Sequence, residues 1–137
     1  MLLSRIVGID YGTKRSGIAA TDILQIAVHG VDTVPTGTLW DWLEAYIKKE
    51  EVEKIVIGHP THADGNAVSF MNQIIGLERK IKKTYPHIAV VLHDEAFSSA
   101  RAKQVILASG VGQKKRKDKS LVDKVAAILI LQDYLRY

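Results

Sequence analysis

The sequence predicts an α/β fold: a mixed five-stranded sheet with helices on both faces. Three features point to it. The N-terminal stretch carries three short apolar segments separated by tight turns, the pattern of antiparallel hairpins. Beyond Pro35, segments with helical periodicity alternate with short apolar runs, so crossover helices should set the later strands parallel to one another. The sequence closes on a long helical segment with an apolar stripe.

In order, Arg5 to Asp10 reads as a buried strand, Ile6-Val7-Gly8-Ile9, that ends on an acid. Tyr11 to Arg15 is a turn and Ser16 to Thr21 a second strand. A third, Ile26 to Val34, stops before Pro35, which cannot donate to a sheet. Leu39, Trp42, Leu43, Tyr46 and Ile47 fall at helical spacing within Leu39 to Glu51, and core packing accounts for Trp40 and Trp42. Lys54 to Gly58 is a short strand, followed by a loop with Pro60 and Gly65. Phe70, Met71, Ile74, Ile75, Leu77 and Ile81 make the stripe of a helix over Val68 to Tyr85. Ile88 to His93 is the fifth strand, ending on Asp94-Glu95. Helices over Ser99 to Ser109 and from Leu121 to about Arg136 flank a basic loop.

At 137 residues, the length suits one domain spanning 1–137. Hydrophobic residues at 47% and charged residues at 25% give the balance of a globular protein. The longest apolar run, Val125 to Leu131, falls far short of the roughly 20 residues needed to span a bilayer. The N-terminal residues lack the pattern of a signal peptide, and there is no cysteine, which excludes disulfide and thiolate chemistry. A cytoplasmic location, with no membrane partner, is the expectation. The net charge of +4 is concentrated in Lys114, Lys115, Arg116, Lys117 and Lys119, either a solvated loop or a polyanion-binding surface.

Three acids occupy chemically interesting places. Asp10 ends the first strand, Glu95 the last, and Asp123 opens the final helix. Functional groups in open sheets gather beyond strand ends, so the three could meet. Asp10 could instead stabilise its turn, and Asp94 and Glu95 could be polar punctuation. Ser120-Leu121-Val122-Asp123 also fits a helix-capping pattern. Against that, Ala126, Ala127 and Ile130 share the face of Asp123, so the acid begins a stripe that should pack on the sheet, where small alanines allow close approach. Three adjacent carboxylates need a cation, and oxygen ligands without cysteine favour Mg²⁺ or Mn²⁺. Two such ions, about 3.5–4 Å apart, activate water and stabilise the leaving oxygen of a phosphodiester. Lys14, Arg15 and the basic cluster lie near these acids in sequence and could hold flanking phosphates.

The run Gly8-Ile9-Asp10-Tyr11-Gly12-Thr13-Lys14-Arg15-Ser16-Gly17-Ile18-Ala19 resembles the opening motif of the YqgF/RuvX family. Ile57-Gly58-His59-Pro60 followed by Gly65 is similar to its Gly-x-Pro loop, Asp94-Glu95 to its Asp-Glu-Arg motif, and Asp123-Lys124-Val125-Ala126-Ala127 to its C-terminal helix. The resemblance covers nearly the whole chain. It implies a ribonuclease H-like fold related to the resolvase RuvC, and catalytic, metal-binding acids at Asp10, Glu95 and Asp123. It also implies a nuclease that matures the 5′ end of the 16S ribosomal RNA precursor or, alternatively, resolves Holliday junctions. The expected partner is therefore structured RNA or branched DNA, met by a monomer or a weak homodimer. Ala96 departs from the family, standing where Arg is usual, as do Ser98-Ser99, where Thr-Thr or Thr-Ser is usual. Those changes bear on substrate grip and rate rather than on the acids.

Three other readings compete. An actin-like ATPase shares the Asp-x-Gly-Thr hairpin but needs two related domains. A non-catalytic nucleic-acid-binding module would not need all three acids. A zinc site at His59, His62 and His93 with Asp94 fits no recognised spacing.

Overall fold

In the computed structural model, residues 3–60, 67–95, 98–109 and 119–135 are described, without the side chains of 60, 67–69, 94, 95, 98–100 and 119. The elements run β1 (Arg5–Asp10), β2 (Arg15–Thr21), β3 (Val28–Pro35), a 3₁₀ turn (Thr36–Thr38), α1 (Leu39–Lys49), β4 (Val52–Pro60), α2 (Ala67–Thr84), β5 (Ala89–Glu95), α3 (Ser98–Ala108) and α4 (Lys119–Leu135). One five-stranded sheet has the order β3-β2-β1-β4-β5. The two hairpin pairings are antiparallel, and β1 with β4 and β4 with β5 are parallel, as the alternation of helix and strand requires. The mixed sheet predicted from sequence is therefore present.

Strand side chains alternate between two cores. Val7, Ile9, Ile18, Ala20, Ile55 and Ile57 join Leu39 and Leu43 of α1 and Ile74 and Ile81 of α2 on one face. Ile6, Ala19 and Val56 meet Ala127, Ile130 and Leu131 of α4 on the other. There α3 packs on α4 through Ala102, Ile106, Val122 and Ala126 rather than on the sheet. Both tryptophans pack partly buried against the first core, Trp42 stacked on Tyr46 at 4.9 Å.

Helix α4 rests directly on strand backbone. A Cβ added at Gly8 would lie 3.0 Å from the Leu131 Cβ, and one at Gly17 would lie 1.9 Å from the Asp123 carbonyl oxygen. Buried Ala126 and Ala127 complete the close approach, as the sequence predicts.

Several boundaries differ from expectation: β4 runs Val52–Pro60 rather than Lys54 to Gly58, β5 runs Ala89–Glu95 rather than Ile88 to His93, and β3 takes in Pro35, paired with Arg15 as its last residue, where a missing N–H is tolerated. Strand β3 begins at Val28, and Ile26 is instead 67% exposed in the turn before it. The Asp22 carboxylate accepts the Ile26 N–H at 2.8 Å, a side-chain turn that outcompetes the β preference of isoleucine. Helix α1 ends at Lys49 because Glu50 is extended and leads into β4. Helix α4 begins at Lys119, so Asp123 lies beyond its first turn and does not open it.

Candidate active site

Strand parity fixes where Asp10 points. Ile6 and Gly8 face α4, so Asp10, two residues further, does too. Asp10 pairs across the sheet with Gly17 on one side and Gly58 on the other. Because Gly17 touches the Asp123 backbone, the two acids come together without any long side chain reaching across. They line one cleft of about 330 Å³ with Tyr11, Gly12, Thr13, Lys14 and Arg15. The cleft lies where β1, β4 and β5 all end, beyond the carboxyl ends of the parallel strands.

Asp123 is 17% exposed and its Oδ2 accepts the Arg15 Nε at 2.8 Å. A side chain committed to Arg15 this far into the helix is no helix cap. The described part of the site thus combines two carboxylates with one guanidinium paired to the second of them, Asp123. Carboxylate oxygens, with no sulfur or imidazole among the lining residues, suit a hard divalent ion. Among the described residues no group of three potential metal ligands stands together. Glu95 ends β5, with its backbone paired to Pro60 at the same end of the sheet, but its side chain lies outside the described set.

The turn between β1 and β2 forms the cleft wall, and the hydroxyls of buried Ser16 and half-buried Thr36 hold it. Thr36 donates its Oγ1 to the Gly12 carbonyl at 2.6 Å and its N–H to the Lys14 carbonyl at 2.9 Å. Fully buried Ser16 shares a 2.8 Å hydrogen bond with Thr36 and accepts the Gly12 N–H at 3.4 Å. Thr33 donates to the Ser120 carbonyl at 2.6 Å, fixing the start of α4 to β3. The sequence gives no role to this trio; Ser16 and Thr33 are polar residues embedded in strand-like segments, whereas nothing local marks Thr36 in the turn after Pro35. Tyr11 adds a tie to α2, its ring 5.7 Å from Phe70 and its hydroxyl donating to Gln73 Oε1 at 3.2 Å. Burial pushes the Tyr11 phenol pKa up, so it remains a donor.

The other predicted residues divide. Lys14 is exposed on the cleft wall, whereas Arg15 is engaged with Asp123. Lys114, Lys115, Arg116, Lys117, His62 and Ala96 lie outside the described residues; Lys119 starts α4 and Ser98-Ser99 start α3, with the side chains of Lys119, Ser98 and Ser99 outside them too. His93 turns toward α4, where its Nε2 is 3.9 Å from Asp133 Oδ2 and its ring meets Tyr134 edge-on at 5.9 Å. Among the described residues it therefore joins no metal cluster.

The sequence profile of the family described as "RuvX: Holliday junction resolvase" matches residues 4–137. A protein of Phocaeicola vulgatus named "Putative pre-16S rRNA nuclease" is 44% identical over 133 residues, covering 97% of this chain and 96% of its own. One of the same name from Porphyromonas gingivalis matches to the same extent. The chain belongs to the RuvX family. It is accordingly a nuclease, a hydrolase of phosphodiester bonds, and its substrate is nucleic acid. Among solved structures, Thermus thermophilus RuvC in complex with a Holliday junction substrate superposes with a TM-score of 0.59 at 15% identity, covering 97% of this chain and 95% of RuvC. A second Thermus thermophilus RuvC structure gives 0.53 at 14% identity. Those likenesses establish the ribonuclease H-like fold. No helix among the described residues of this RuvX member is long and apolar enough to cross a membrane.

Proposed function

We propose that this RuvX-family chain is a single-domain, metal-dependent endonuclease that trims the 5′ end of the 16S ribosomal RNA precursor. Asp10, Glu95 and Asp123 are its metal-holding acids and Mg²⁺ or Mn²⁺ its cofactor. The observation that carries this reading is the meeting of Asp10 and Asp123, from the first strand and the last helix, in one polar cleft at the end of the sheet where Glu95 also ends its strand. A divalent pair there would supply an activated water and charge stabilisation for the leaving oxygen. The chain's own contribution is placement. Arg15 holds Asp123 in position until a cation and substrate arrive, then turns to a flanking phosphate together with Lys14. Lys114, Lys115, Arg116, Lys117 and Lys119 extend the phosphate grip along the substrate. Tyr11 and the Ser16–Thr36 pair keep the wall rigid. One such site suffices to trim an RNA end, so a monomer can act, whereas a junction resolvase needs two sites related by symmetry.

The test is cleavage of a labelled RNA bearing the 16S precursor 5′ end, with Mg²⁺, Mn²⁺ or EDTA, beside a four-way DNA junction. Metal-dependent cutting of the RNA in preference to the junction is expected. Preference for the junction would replace the RNA assignment with resolvase activity. Salt-sensitive binding without cutting of either substrate would overturn the nuclease reading.

A further inference from the structure

Strand β5 carries a second polar cluster on the same face of the sheet as Asp10. Asp10, Gly58 and His93 stand in one row across β1, β4 and β5. Val91 packs toward α4, so His93, two residues further along the strand, does too. Gly58 puts no side chain between Asp10 and His93, whose Cα atoms lie two strand spacings, about 10 Å, apart. Beyond His93, Arg101 of α3 meets Asp133 of α4. The Asp133 Oδ2 is 3.6 Å from Arg101 Nη1 and 3.9 Å from His93 Nε2.

Both separations are too long for a hydrogen bond. His93 Nε2 is buried yet has no hydrogen-bond partner among the described residues. Among the same residues the ion pair to Asp133 is the one polar contact of Arg101. Arg15, by contrast, reaches its acid at 2.8 Å, and Arg5 donates to Glu50 at 3.2 Å and to the Thr21 carbonyl at 3.0 Å. Packing does not require the Arg101 pair. Helix α3 is seated on α4 by Ala102 and Ile106 against Val122 and Ala126, and an ion pair whose two side chains are 46 and 49% exposed adds little to stability. Nor is the charge balanced. The described charges that meet here are Arg101 and Lys54, whose Nζ donates to the Tyr134 hydroxyl at 2.9 Å, against Asp133 alone. A guanidinium presents five N–H donors in a plane that matches phosphate oxygens, and one distant carboxylate oxygen leaves them unused. Asp133 lies in the last turn of α4, half exposed, so its side chain can turn out to water.

The position suits a substrate strand. Helix α4 sets an acid against an arginine at both ends of the row, Asp123 with Arg15 and Asp133 with Arg101. Ten residues separate the two acids, about 15 Å along the helix. A strand crossing the carboxyl end of the sheet, with its scissile phosphate at the cleft, therefore has one arginine on the β2 side and another on the β5 side. We propose that Arg101 is a phosphate-binding subsite for the substrate strand on the β5 side of the cleft, and that Asp133 holds its guanidinium until a phosphate displaces the carboxylate. The proposal needs a nucleic-acid substrate. It does not depend on the choice of RNA over junction DNA.

The test is binding of the full chain, by fluorescence anisotropy in EDTA so that nothing is cut, to the labelled precursor RNA and to the four-way DNA junction across a salt series. Arg101→Ala should bind about tenfold more weakly at low salt, the worth of a charge-assisted hydrogen bond. Its plot of log K against log salt should be shallower by about 0.7–0.9, the signature of one lost phosphate contact. Asp133→Ala should shift the other way and bind about two- to fivefold more tightly, because the competing ion pair is gone. Arg79→Ala, which removes an exposed charge from α2 on the opposite face, should keep the wild-type slope. Wild-type affinity and slope in Arg101→Ala would overturn the proposal. So would weaker binding by Asp133→Ala, which would make the pair a structural tie, or an Arg79→Ala effect as large as that of Arg101→Ala, which would reduce it to bulk charge. Wild-type binding to neither probe would overturn it together with the nuclease reading, whereas binding without cutting would overturn that reading alone.

Discussion

Replacing Gly17 by alanine tests how α4 delivers its acid. The added Cβ would fall 1.9 Å from the Asp123 carbonyl oxygen, and the Lys124 nitrogen would lie at 3.0 Å. An ordinary carbon–oxygen contact is about 3.3 Å, so helix and strand must part by about 1.4 Å at the residue that carries the acid. Backbone lies on both sides of this contact, so no rotamer change relieves it. Overpacking of this kind costs about 1–3 kcal/mol, a fall in melting temperature of roughly 5–10 °C. Misplacement by about 1 Å should slow cleavage about a hundredfold. The assay is single-turnover cleavage of the precursor RNA at saturating metal, with thermal unfolding in parallel. Gly76→Ala is the control: nothing lies within 4 Å of the added carbon, and α2 should gain up to about 1 kcal/mol from better helix propensity. A Gly17→Ala enzyme with wild-type melting temperature and rate would refute the claim that this contact sets the position of Asp123.

Other outcomes are expected at the same site and beyond it. Asp10→Asn should reduce cleavage on the order of 10³-fold or more, with circular dichroism unchanged, since several kcal/mol of charge stabilisation depend on the metal site; near-normal cutting would remove Asp10 from it. Arg15→Ala should act in two directions. Freeing Asp123 from a half-exposed ion pair worth about 0.5–1 kcal/mol lowers the metal concentration at half-maximal rate two- to fivefold, while the lost phosphate contact raises KM for RNA. An unchanged metal titration would show that Arg15 does not compete with the cation. Hydrogen bonds from Ser4 and Gln25 hold the Glu53 carboxyl below its ordinary pKa. Its stabilising contribution is therefore full above the ordinary carboxylate range and is lost as pH falls through the lowered value. Glu53→Gln should be less stable than wild type at neutral pH in urea unfolding, and the difference should vanish in acid; a constant difference across pH would contradict the assignment.

Much of this arrangement is legible in the sequence. The acid ending β1 follows from a short apolar run, and the place of Asp123 on the packing face of α4 follows from Ala126, Ala127 and Ile130. What escapes is what depends on partners distant along the chain. Nothing local marks Arg15 as the partner of Asp123, 108 residues away, nor Thr33 as a tether for α4. Gly17 reads as one more small strand residue until a helix lies on it. Ile26 reads as strand because its side chain favours β structure, yet a carboxylate four residues earlier captures its amide. Arg15, Thr33 and Gly17 escape because their contacts are made by tertiary structure, and Ile26 because a local side-chain turn outcompetes its β preference, while the apolar periodicity that builds sheet and helices is local.

The bond between Arg15 and Asp123 also has a bearing on timing. The strand that offers the first acid leaves the ribosome early and becomes an inner strand of the sheet, but the helix carrying Asp123 follows 108 residues after Arg15. At ordinary rates of about 5–20 residues per second, that separation is about 5–20 seconds of synthesis. Throughout that interval the nascent chain holds only part of the proposed cutting centre while it stands beside ribosomal and messenger RNA. On the proposed assignment of the acids, splitting them between the first strand and a late helix withholds the cutting centre until that helix has been made.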